Sequence, residues 1–254
     1  GIGTAPAATN GFVERAWFAF DSNTATLVPG DNSVIFQVTN GGTAANPTGL
    51  RVDDINVRAA PIDSLPIPGL FNTGVDDSGG SADSHYEAIV VPAGSAEPTI
   101  AIPSPPSPPW IQRTSTSQWI GPNDPGGNGP EGEYQYQLTF DMTGLDPASA
   151  VISGLWSVDN STTEILLNGQ PTGITQDGSF INLSYFELSA ANGHTFLPGE
   201  NTLVFPVVNA PASNNPIGLR VEGLLGYAQP VPEPGALAMI VGMLVGMLRL
   251  RRTR

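Results

Sequence analysis

One stretch of this chain occurs twice, and the duplication limits the folds open to it more than any other feature. Pro29 to Val52, PGDNSVIFQVTNGGTAANPTGLRV, returns as Pro198 to Val221, PGENTLVFPVVNAPASNNPIGLRV, at an offset of 169 residues without a gap. The match runs on to Pro61 and Pro230 and holds fourteen identities in thirty-three positions, with Asp31 replaced by Glu200. Upstream, after a one-residue change of offset, Phe12, Trp17, Phe18 and Phe20 fall opposite Phe180, Tyr185, Phe186 and Leu188. Aromatic positions are thus kept where a core needs them. A period of this length is far longer than a solenoid unit and matches a whole domain. Residues 1–60 are therefore expected to be the C-terminal part of a first domain, and residues 61–230 a complete second copy with a loop-rich start.

The pattern inside each copy is that of strands. Val34, Phe36 and Val38 alternate with Ile35, Gln37 and Thr39, and Leu203, Phe205 and Val207 repeat that face in the second copy, where they are expected in the core. Pro206 lacks a ladder donor, which predicts an edge strand or a bulge. Pro29-Gly30 and Pro198-Gly199 mark the turn into this strand. A polar loop follows it, closed by Asn46-Pro47 or Asn215-Pro216, and Gly-Leu-Arg-Val then opens the last strand. Tyr134, Tyr136, Leu138 and Phe140 alternate with polar residues, and Ile152, Trp156 and Val158 share one face of residues 150–158. Asn168-Gly169, after a strand at 164–167, predicts a hairpin, because these residues supply the positive φ angles of a type I′ turn.

Residues 61–110 read as loops with one strand at 86–91 and an extended, proline-rich run from Pro103 to Trp110. Phe71, Tyr86, Ile89 and Val91 are more apolar than a spacer needs, so the stretch opens the second domain. No segment before Val231 has a helical period. The expected fold is all-β, a tandem β-sandwich of jelly-roll type, followed by a C-terminal hydrophobic helix.

Charge and cysteine content narrow the function. With no cysteine, disulfides, thiolate metal sites and a cysteine nucleophile are excluded. All nine basic residues are arginine. Five of them (Arg15, Arg51, Arg58, Arg113, Arg220) precede Val231 against twenty-two acids, a net charge of −17 for the body. Phosphate binding needs the opposite sign, so nucleic acid is not an expected partner.

The remaining four arginines close the chain. Pro232, Glu233 and Pro234 follow Val231 and lead into an uncharged apolar run from Gly235 to Leu248, which ends in Arg249, Arg251, Arg252 and Arg254. Fourteen residues make a helix of about 21 Å, shorter than the roughly 30 Å hydrocarbon core of a bilayer, and clustered arginines stay cytoplasmic. Triplet, short apolar helix and arginine cluster, in that order, resemble the PEP-CTERM sorting signal of exported bacterial proteins. The resemblance covers residues 231–254 and implies recognition by an exosortase, a membrane protease-transpeptidase. It implies a transmembrane segment before processing, removal of the tail, and delivery of the body to the cell surface, the outer membrane or the medium. An ordinary C-terminal anchor is the plainer alternative.

A second resemblance lies in the order of elements from Trp156-Ser-Val-Asp-Asn160 through PGENTLVFPVVN to NPIGLRV, which is similar to the galactose-binding-like jelly roll of exported carbohydrate-binding modules. That family holds ligands in loops at one end of the sandwich, and its fold does not fix a ligand. Sugar binding calls for exposed rings beside polar groups. Trp110 and Trp119, in polar, proline-rich sequence, are the candidate platforms, and packing at the sandwich rim is their alternative. Arg51 and Arg220 hold the same place in both copies and are either structural arginines paired with a carboxylate or ligand contacts beside the Asn-Pro loop. Asp76, Asp77 and Asp124 offer hard oxygen ligands to a structural Ca²⁺, but without EF-hand spacing. No catalytic motif occurs, and no carboxylate pair stands out for glycoside hydrolysis. The expected protein is non-enzymatic and binds polysaccharide or matrix, with a purely structural surface or biofilm protein as the alternative.

Overall fold

A computed structural model describes residues 63–75, 82–95, 110–122, 127–176, 180–211 and 215–232. Both the first copy and the tail beyond Pro232 lie outside the described residues. The described chain forms eleven strands: β1 (Leu65–Pro66), β2 (Tyr86–Val90), β3 (Asn128–Gly129), β4 (Gly132–Asp141), β5 (Val151–Asp159), β6 (Leu166–Leu167), β7 (Gln170–Pro171), β8 (Ser184–Ser189), β9 (Glu200–Asn209), β10 (Asn215–Pro216) and β11 (Gly218–Ala228). Its helical content is two short 3₁₀ turns, Pro147–Ser149 and Ala190–Asn192. The strands pair antiparallel into a four-stranded sheet, β1-β11-β5-β8, a five-stranded sheet, β2-β4-β9-β6-β7, and the small pair β10-β3. The result is an all-β sandwich.

Alternation decides which residues lie between the sheets. Tyr134, Tyr136, Leu138 and Phe140 of β4 face inward with Leu203, Phe205 and Val207 of β9, and Ile152, Trp156 and Val158 of β5 oppose them. Phe186 of β8 and Phe205 lie 6.4 and 5.9 Å from Trp156 between ring centroids. In β11 the inward face changes partway: Leu219 and Val221 point into the core, then Leu224, Gly226 and Ala228. An extra residue between Glu222 and Leu225 causes the change, with Gly223 at φ +62 making the bulge.

Two expectations change on the structure. β9 is neither an edge strand nor bulged against β4, although it contains Pro206. The proline nitrogen faces the side where residues 162–165 make no ladder with β9, so no donor is lost; on that side the Pro206 carbonyl accepts from the Thr162 hydroxyl at 2.6 Å. In the opening stretch, Ile67 and Tyr86 are buried and β1 pairs with β11, so it belongs to the domain as expected. Phe71 and Ile89, however, are exposed. The hairpin at Asn168-Gly169 forms with φ angles of +53° and +73°.

The long strands run between two ends. At one, Asp159 pairs with Gly218 beside the Asn209–Asn215 loop; at the other, Asp141 pairs with Glu200 and Val151 with Tyr227, and the chain leaves at Val231.

Candidate functional site

The residues singled out for ligand binding gather on the outer face of the four-stranded sheet, opposite the core. Because Leu219 and Val221 point inward, Gly218, Arg220 and Glu222 of β11 point outward, as do Ser157 and Asp159 of β5. An outward face of this kind is ordinarily wet. Here residues 110–120 cross it as a strap, and Ser157, Asp159 and Arg220 are buried.

Trp110 and Trp119 form the underside of the strap. Their rings lie 4.3 Å apart between centroids, and with Phe180 they make a second apolar cluster separate from the core. Gly218 is the floor, since a Cβ there would sit 3.1 Å from ring atoms of both tryptophans. Trp119 Nε1 donates to the Ile111 carbonyl at 2.9 Å, and Trp110 Nε1 to Asp159 Oδ2 at 2.9 Å. Of the two roles open to these rings, packing against the sandwich fits, and the exposed stacking platform is corrected. Trp119 is 0% and Trp110 5% exposed, so neither ring has an open face for a sugar.

Arg220 ties the strap down. Its Nε donates to Ser117 Oγ at 2.8 Å, Nη1 to the carbonyls of Ile111 and Gln112, and Nη2 to Glu222 Oε2 at 2.7 Å. Burial lowers the guanidinium pKa, and the Glu222 carboxylate opposes that shift. Of the two roles open to it, the internal one fits: all three nitrogens are engaged and the side chain is 1% exposed. Arg51, its counterpart, lies outside the described residues.

Asp159 is a titratable group that the sequence reading passed over. Burial pushes its carboxyl up to about 6, while hydrogen bonds from Trp110 and Asn160 pull it back. Its neighbour Asn160 begins an amide network at the loop end: Asn160 Oδ1 accepts from Ala210 N and Asn215 Nδ2, and Asn209 Nδ2 donates to the Gly129, Pro130 and Asn215 carbonyls. Asn209 and Asn215, which recur in the sequence as Asn40 and Asn46, thus hold the loop end here rather than offer a free amide. The signal for Gly218 and Arg220 was the same repetition, in Gly49 and Arg51; Asp159 had none.

The other site candidates divide by position. Val231 and Pro232 are described and exposed at the tail end. Glu233, Pro234, Gly235, Leu248, Arg249, Arg251, Arg252 and Arg254 lie outside the described residues, as do Asp76, Asp77 and Asp124. Among the described residues no helix is long and apolar enough to cross a membrane, and no three His, Cys, Asp or Glu side chains are placed to hold a metal ion. One aromatic feature was missed: the exposed Phe71 ring lies parallel to His85 at 3.6 Å between centroids.

Compared with known protein families, with curated protein sequences and with solved structures, the chain matches none, so the site is read from its geometry alone.

Proposed function

We propose that this chain is an exported, non-enzymatic bacterial surface protein, sorted by residues 231–254 and displaying tandem galactose-binding-like jelly rolls as structural or matrix modules. In this reading Gly235–Leu248 is a short membrane helix that holds the tail until an exosortase cuts near Pro232–Pro234. The observation that carries the proposal is the order of parts at the C-terminus: triplet, apolar run too short for a comfortable span, arginine cluster. A body with a charge of −17 and no cysteine suits an extracellular setting. The structural role is supported by the way Trp110, Trp119 and Arg220 spend their rings and donors on the strap.

The test is to graft residues 231–254 onto an unrelated exported protein in a bacterium that carries a sorting protease of this class. The fusion should lose its tail and reach the surface or the medium. A fusion retained uncut in the inner membrane would reduce the segment to an anchor.

Glycan binding is the second reading, and the exposed Phe71–His85 stack favours it, because an apolar ring face is what a pyranose packs on. Retention of residues 62–230 on a glycan array, lost in Phe71→Ala, would support it; a flat array would remove it.

A further inference from the structure

The backbone stays attached to the sandwich up to the residue before the Pro-Glu-Pro triplet. Asp146 N–H donates to the Gln229 carbonyl at 2.7 Å, Gln229 N–H to Ser149 Oγ at 2.8 Å, and Val231 N–H to the Gly144 carbonyl at 2.9 Å, while Leu145 bridges Pro230. The pairing ends there because its partner turns back, with Leu145 N–H on the Met142 carbonyl and Gly144 at φ +78. The triplet therefore begins with no spacer after the domain.

Covalent reach sets the consequence. Three residues span at most about 10 Å, whereas a folded domain of 100 residues has a radius of gyration of about 13 Å. A protein that holds Pro232–Pro234 in a cleft cannot avoid the loops around Val231. Resting on the sorting reading above, we propose that the tail end of the sandwich is a docking surface for the protease that removes the tail. Thr143, Gly144, Ala148 and Asn192 are its exposed parts, and the 3₁₀ turns that carry Ala148 and Asn192 pack together. Beside them Asp141 and Glu200, both exposed, stand directly opposite each other on β4 and β9. The two arginines of the described residues, Arg113 and Arg220, belong to the strap and the strand beneath it. The protease face that meets this end is accordingly positively charged.

The experiment follows tail removal from the full chain in a bacterium carrying the sorting protease. Ala148→Trp and Glu200→Lys, at exposed positions, should each slow removal roughly tenfold, as a steric or charge mismatch of ordinary size does, with unchanged melting temperatures. The slowing should vanish when a ten-residue Gly-Ser linker, about 17 Å in root-mean-square length, separates Val231 from Pro232. No slowing in the unspaced protein, or equal slowing with and without the linker, overturns the docking surface. A Pro232→Ala, Pro234→Ala variant separates the two failures. If it is processed normally the sorting reading itself is wrong; if it is not processed while both surface variants are silent, only the docking surface fails.

Discussion

Between the sheets, Trp156 packs on Phe186 and Phe205 at 6.4 and 5.9 Å; outside the four-stranded sheet, Trp110 and Trp119 pack at 4.3 Å over Gly218, with Arg220 and Asp159 buried beside them. The first interior follows from alternation, since every second residue of a paired strand must face the opposing sheet. The second is buried because another segment lies across it. One interior is held by contact of hydrocarbon and rings, the other by hydrogen bonds from an arginine and two indoles, so the two should fail differently.

The largest effect is expected at the centre of the first. Trp156→Ala leaves a cavity that the surrounding Phe186 and Phe205 fill only in part, and truncations of this kind cost about 3–5 kcal/mol. Urea unfolding of residues 61–232 would register it as a lower midpoint with little change of slope. A loss under about 1 kcal/mol would mean that the sheets do not pack face to face around this ring.

Arg220→Ala is the matching cut in the second interior. It strands the carbonyls of Ile111 and Gln112 and the Glu222 carboxylate, at a cost of about 2–4 kcal/mol, less than for a fully buried pair because Glu222 keeps 17% of its surface in water. Arg220→Lys should recover less than half of it, because one ammonium cannot reach Ser117, two carbonyls and Glu222 together. The distinguishing readout is local: proteolysis within residues 110–120 should rise in Arg220→Ala at denaturant concentrations where Trp156→Phe leaves the strap intact.

The contrast also explains what was legible in the sequence. Tyr134 to Phe140, Leu203 to Val207 and Ile152 to Val158 declared their inward faces by period two, and Asn168-Gly169 declared its turn. Pro206 misled, because the rule that places proline at an edge depends on which neighbour its nitrogen faces, and that depends on where residues 162–165 run. The strap was hidden for a similar reason. No periodicity in Trp110 to Ile120 says that it covers a sheet, so its tryptophans stayed open between exposed platforms and packing at the sandwich rim. Only the recurrence of Gly-Leu-Arg-Val hinted that the outward residues Gly218 and Arg220 were constrained as tightly as the inward Leu219 and Val221.

A smaller effect separates the two interiors by pH. The Asp159 carboxyl is pushed up to about 6 in the folded chain from an ordinary value near 4. Between those values the folded form binds more protons than the unfolded, so this group's contribution is complete below about 4 and is lost as pH rises through 6. Asp159→Asn keeps an acceptor for Trp110 Nε1 and removes the titration. Relative to the wild type, the variant should gain stability between pH 5 and pH 7.5, by a few degrees of melting temperature. A wild-type minus variant difference that stays flat over that range would place the carboxyl in water. Trp156→Phe should leave the pH dependence untouched.

The smallest effect tests how dry the first interior is. Tyr136 is wholly buried, its hydroxyl finds no partner among the described residues, and burial raises its pKa far above the ordinary phenol value. An unpaired buried hydroxyl costs about 1–3 kcal/mol, against which stand the contacts its oxygen makes. Tyr136→Phe removes the first and few of the second, so stability should rise by up to about 1 kcal/mol, in contrast to the losses expected for Arg220→Ala and Arg220→Lys. A loss of 1 kcal/mol or more would mean that a buried water satisfies the hydroxyl. The inner core would then hold a polar bridge of its own, and the division between an interior held by packing and one held by hydrogen bonds would narrow to a difference of degree.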